Sequence, residues 1–210
     1  MKALGLSILL LASCGAPPTR PDGPPPEYPG TLQSTEDFVS PAGLGDAFAL
    51  EQRVRSVYPE GEQSFRAVLQ LTSGRLVLIG FGPHGGRGFV LQQEGTEVNL
   101  ESHLPEELAF PPEFMLHDIQ RVWFRGLPGP HPDGEQRGTL DGEEVVERWR
   151  DGRLLERTFR RLDDEPAGLL RATYEGGLGA DGPPEVVRWE NGWFGYELIL
   201  TTLSHQTIPE

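Results

Sequence analysis

Two Asx-Gly dipeptides constrain this chain more than any other feature. Asp151-Gly152 separates residues 143–150 from 153–161, and Asn191-Gly192 separates residues 185–190 from 193–203. Such pairs accept the positive backbone angles of two-residue turns, so each predicts a β-hairpin. A chain reversed in this way builds an antiparallel sheet. Alternation does not resolve which face of residues 143–161 points inward.

More strands precede these hairpins. Residues 64–71 alternate, with Phe65, Ala67, Leu69 and Leu71 on one side. Thr72-Ser73-Gly74 turns the chain, and residues 75–81 are apolar on both faces, as in a strand covered on two sides. Residues 82–88 turn again and 89–93 return. Two helices are expected. Asp46 could cap one, with Ala47, Leu50, Val54 and Val57 on one face. Pro111-Pro112 opens the other, since proline is tolerated in a first helical turn. Its Met115, Ile119 and Val122 recur at helical spacing, with Phe114 and Trp123 beside them. Residues 126–138 read as a proline-glycine loop. The 27 glycines and 20 prolines among 210 residues suit this pattern of many turns and few long helices. The expectation is a mainly β (α+β) fold with seven to eleven strands and two helices.

The N-terminus carries an address. Lys2 precedes ten apolar or small residues, 3–12, which suit a secretory signal and are too short to span a bilayer. Leu11-Ala12-Ser13-Cys14 then resembles a bacterial lipobox, and Cys14 is the sole cysteine. The expectation is cleavage before Cys14 and acylation of that residue. Gly15 follows, which by analogy with Gram-negative sorting favours the outer membrane, facing the periplasm. Three acyl chains exceed the two signals that stable anchoring needs. Residues 15–30 hold seven prolines and form an extended tether. The expected organisation is a signal peptide at 1–13, lipidated cysteine and tether at 14–30, and one domain at 31–210.

Several patterns carry less than they promise. Gly80-Phe81-Gly82-Pro83-His84-Gly85 fits a dinucleotide fingerprint, but a strand-like run follows where a helix is needed. A glycine-rich hairpin turn is the better reading. Five histidines, at 84, 103, 117, 131 and 205, share no zinc-ligand spacing, and no serine sits in a G-x-S-x-G elbow. His117 and Asp118 are adjacent in sequence and do not share a helical face. No catalytic residue, metal or cofactor is expected. The net charge of −14 argues against a nucleic-acid partner. The four tryptophans suit a filled core or the wall of an apolar cavity.

Residues 52–91, with FRAVLQL and RLVLIGFGP, the segment FMLHDIQRVW at 114–123 and GYELILTTL at 195–203 resemble an uncharacterised family of bacterial outer-membrane lipoproteins. That family is similar to the lipoprotein carrier and receptor pair LolA and LolB. The resemblance implies an antiparallel sheet curled into an unclosed half-barrel, lidded by one or two helices over an apolar cavity. It implies binding or transfer of an acyl or polyene-type lipid, with no bond chemistry. Opening of the helix that begins at Pro112 would gate exchange. Candidate cavity and lid residues are Leu69, Leu76, Leu78, Phe89, Leu91, Phe114, Met115, Ile119, Trp123, Trp149 and Tyr196. Residues 83–88 lack the large apolar side chain with which receptors of this kind insert lipoproteins. The membrane, through the acyl chains, a lipid ligand and an envelope protein are the expected partners. The alternative is an envelope scaffold with a filled core and no ligand.

Overall fold

In the computed structural model, residues 38–59, 61–82, 84–104 and 112–209 are described. The expected signal peptide, Cys14 and the expected tether at 15–30 lie outside them. Strands β1 (Phe48–Tyr58), β2 (Gly61–Thr72), β3 (Arg75–Phe81), β4 (Arg87–Glu94) and β5 (Glu97–Ser102) form a meander. Helix α1 (Pro112–Trp123) follows. A second meander comprises β6 (Gly134–Leu140), β7 (Glu143–Arg150), β8 (Arg153–Arg161), β9 (Leu170–Leu178), β10 (Val186–Asn191) and β11 (Tyr196–Thr207).

Pairing of β1 with β11 fuses the meanders into one eleven-stranded antiparallel sheet, ordered β5-β4-β3-β2-β1-β11-β10-β9-β8-β7-β6. The sheet is not closed, and β5 and β6 remain as edges. The connection between those edges contains α1, whose Val122 packs with Val145, Phe159 and Trp189 on one half of the sheet. Leu116 packs with Leu50, Leu69, Leu76 and Leu91 on the other half.

Register keeps one sheet face buried from strand to strand. Leu50 opposes Leu69, Leu69 opposes Leu78, and Leu78 opposes Leu91. On the other side Val54 opposes Leu200, Leu200 opposes Val187, and Val187 opposes Tyr174. A one-residue slip would turn every one of these side chains outward. The inward face of β2 holds Phe65, Ala67, Leu69 and Leu71, as its alternation predicts.

The helix expected after Asp46 is instead strand β1. Leu50 and Val54 are four residues apart, a spacing that serves a helical face and, equally, every second position of a strand. The outward row of Glu51, Arg53 and Arg55 decides for the strand, and inward Leu50, Gln52, Val54 and Ser56 are all buried. The structure therefore has one α-helix among the described residues, not two. The loop expected over 126–138 ends earlier, because β6 begins at Gly134 and pairs with β7.

Asp151 and Gly152 both have positive φ and join β7 directly to β8. The Asn191 hairpin exists but is wider than two residues. The Asn191 side-chain oxygen accepts from the backbone N–H of Trp193 and of Phe194, each at 3.1 Å, and Gly195 takes φ 71°. This side-chain-capped turn delays β11 to Tyr196. Gly80-Phe81-Gly82 ends a strand that runs straight into a hairpin with β4. At Gly80 a Cβ would overlap the Phe89 ring, so this glycine seats an aromatic and cradles no phosphate.

Candidate functional site

Between α1 and the inward face of β1–β4, β10 and β11 lies a cavity of about 450 Å³. That volume falls in the range of small-molecule sites. Val54, Phe65, Ala67, Leu69, Leu78 and Phe89 form the sheet wall, with Trp189, Leu198 and Leu200 beside them. Phe114, Met115, Ile119, Val122 and Trp123 form the helix wall. Tyr58, Gln63, Ser64, Phe81, Gly82 and Leu104 surround the end next to the β1–β2 hairpin, where Gln63 and Ser64 are exposed. The opposite end is closed around buried Gln52, Ala67 and Leu69.

Eight residues singled out from the sequence line this space: Leu69, Leu78, Phe89, Phe114, Met115, Ile119, Trp123 and Tyr196. Three do not. Leu76 and Leu91 face inward but sit where Phe38, Leu50, Leu71 and Leu116 fill the interior. Trp149 belongs to β7, remote in the sheet from β1–β4. Its indole stacks on His131 with ring centroids 4.1 Å apart, and its N–H donates to Glu147 at 2.9 Å.

The interior contains polar groups, and they fasten α1. Asp118 Oδ2 accepts from Trp189 Nε1 at 2.9 Å and from the Tyr196 hydroxyl. Asn191 Nδ2 donates to that same hydroxyl at 3.0 Å. Burial raises the Asp118 carboxyl above its ordinary value, against the opposing pull of the Tyr196, Trp189 and Asn191 donors and of Arg121. Burial, with the Asp118 carboxyl beside it, pushes Tyr196 well above the usual phenol range.

One turn on, Arg121 pairs with buried Glu143 at 2.6 Å. Arg157 pairs with fully buried Glu147 at 2.7 Å and donates to the Arg121 carbonyl at 3.3 Å. Tyr174 donates to the Val122 carbonyl at 2.6 Å, and burial pushes its hydroxyl up to about 12. Gln120 donates to Gln93 and to the Val39 carbonyl, both at 3.0 Å, tying α1 to β4 and to the segment before β1. All five consecutive helix residues from 118 to 122 are thus used, 118, 120 and 121 by side chain, 122 by carbonyl and 119 by facing the cavity.

Sequence reading missed Gln52, Val54, Ser56, Ala67 and Asp118 as wall residues, and left Trp189 between core and cavity wall. The signal for the first three was present in the charged alternation of positions 51, 53 and 55. Asp118 had no local signal, since its partners lie more than 70 residues along the chain. Among the described residues no three His, Cys, Asp or Glu gather as a metal would require.

Fold and site together define an open antiparallel half-barrel with a helix across its concave face and an apolar cavity beneath. The chain belongs to the family described as protein of unknown function, DUF3261, which residues 49–204 match. No curated protein matches it. Its fold is similar to a LolA superfamily protein from Nitrosomonas europaea at 13% identity, covering 86% of this chain and 94% of that one, with a TM-score of 0.45. It is also similar to an outer-membrane lipoprotein-sorting protein domain from Vibrio parahaemolyticus at 13% identity, covering 79% and 86%, with a TM-score of 0.43.

Proposed function

We propose that this domain binds an apolar, lipid-type ligand in the cavity between α1 and the sheet and passes it on without bond chemistry. One observation carries the reading. Protein interiors are close-packed, yet a space of about 450 Å³ walled mainly by aliphatic and aromatic side chains is left beside the packed core. An apolar chain entering it gains about 0.8 kcal/mol for each sequestered CH₂. Association itself costs about 4–15 kcal/mol, so only a long chain would bind well.

The working location is the cell envelope. We propose that Cys14 is acylated and holds the domain to the outer membrane through the tether of residues 15–30. Metabolic labelling with a radioactive fatty acid tests this; label that survives Cys14→Ser sinks it. For the ligand, native mass spectrometry of protein purified without detergent from its own host should reveal a lipid-sized adduct. Titration with a fluorescent fatty-acyl probe should saturate at one per chain. Protein that stays empty and takes up no probe overturns the reading and favours a scaffold role with an envelope partner.

A further inference from the structure

One polar group of the cavity wall is unanswered, and it sits at the closed end. Gln52 lies on the inward row of β1 between Leu50 and Val54 and is 4% exposed. Its side-chain NH₂ has no hydrogen-bond partner among the described residues. The other buried polar groups of the wall are engaged. Asp118 accepts from Tyr196 and Trp189, and Tyr58 bonds the Ser56 side chain. A leucine at 52 would continue the apolar wall without an orphaned donor, so the amide is costly unless something accepts from it.

The wall restricts what that acceptor can be. Among the described residues no Lys, Arg or His lines the cavity, and the one carboxyl group there is Asp118. A carboxylate or phosphate brought to Gln52 would be buried without counter-charge, which is strongly unfavourable. An ammonium offers no acceptor to an amide N–H. What remains is a neutral acceptor oxygen on an apolar chain, of which an ester or amide carbonyl is the strongest acceptor.

On the reading that the cavity holds a lipid, we propose that Gln52 selects a neutral acyl ester or amide. Its carbonyl sits at the closed end and accepts from the Gln52 amide. The rest of the molecule runs along the inward row of Val54, Ser56 and Tyr58 toward the β1–β2 hairpin. The six steps of strand from Gln52 to Tyr58 give that row a length of about 20 Å, enough for a long chain.

The test is displacement of a neutral fluorescent naphthylamine by hexadecane, methyl palmitate and palmitate, each delivered from cyclodextrin above neutral pH. In the natural protein the ester should compete about three- to tenfold better than the hydrocarbon, the range one net hydrogen bond supplies, and palmitate should compete worst. In Gln52→Leu and Gln52→Met the ester and the hydrocarbon should converge while the hydrocarbon binds no worse. The empty Gln52→Leu protein should also melt higher than the natural one. An ester advantage that survives both substitutions overturns the proposal, as does its absence in the natural protein or preference for palmitate. If none of the three ligands displaces the probe, the cavity reading itself falls, which is a different result from binding without ester preference.

Discussion

Asp118 ties the helix to the far side of the cavity, and replacing it by alanine tests whether that tie holds the wall in place. The substitution removes the acceptor of the Trp189 N–H, in a side chain with no solvent exposure, and the acceptor of the Tyr196 hydroxyl. A buried donor left unsatisfied costs about 1–3 kcal/mol. Tyr196 is only half-buried and its hydroxyl can turn toward solvent, so its share falls at the low end. The expected loss is about 2–5 kcal/mol, a large part of the ~5–15 kcal/mol that holds a domain folded. Asp118→Asn retains an acceptor oxygen and should cost about 1 kcal/mol at acid pH.

The pH dependence has a definite sign. Burial raises the folded carboxyl above its ordinary 3.8, so the favourable contribution of Asp118 is complete below that value and is lost as pH rises through the folded pKa. The advantage of the natural protein over Asp118→Asn should therefore be complete at pH below 3.8 and shrink as pH rises from there. Urea unfolding monitored by tryptophan fluorescence measures both effects, because Trp123 and Trp189 line the affected wall. An alanine variant within 0.5 kcal/mol of the natural protein, or an advantage that grows with pH, would refute the argument.

Three further substitutions probe the cavity and its support. Ala67→Phe places a ring inside the sheet wall; probe binding should fall at least tenfold, while overpacking costs no more than about 1–3 kcal/mol by thermal unfolding. Unchanged binding would place the ligand elsewhere. Gly80→Val should expel the Phe89 ring from the wall, costing about 1–3 kcal/mol and weakening the probe. Glu147→Ala leaves Arg157 buried without its partner and the Leu127 N–H without its acceptor, so about 3–5 kcal/mol should be lost in the same urea assay.

What the sequence made legible was whatever the chain encodes within a few residues. Asp151-Gly152 fixed a hairpin because its conformational demand is local, and residues 64–71 declared their inward face by simple alternation. The segment after Asp46 misled because Leu50 and Val54 satisfy both periods, and a helical reading puts Gln52 and Ser56 on a solvated face. As a strand, the same residues bring an amide and a hydroxyl into the interior. Trp149 was drawn into the cavity by size alone, when its position near the β6 edge, stacked on His131, is a matter of strand order. Asp118 depended on pairing β10 and β11 under α1, which no local pattern reports.

The same network bears on how the cavity could fill. A helix lid was expected, but α1 is bonded through Asp118, Gln120, Arg121 and the Val122 carbonyl to strands on both halves of the sheet. Lifting it would break the buried Arg121–Glu143 pair, at about 3–5 kcal/mol, and orphan the Trp189 and Tyr174 donors besides. A ligand can drive a rearrangement only by its differential affinity for the two states, and a few methylenes would be consumed merely in opening the lid. The hairpin end demands no such rupture. There Gln63 and Ser64 are exposed, Tyr58, Phe81 and Leu104 are half-buried around the end of the cavity, and β1 and β2 stay paired. On the proposed lipid-binding function, exchange through that end would leave the polar network of α1 intact, and the buried bonds that hold the helix still would then be no obstacle to filling the cavity.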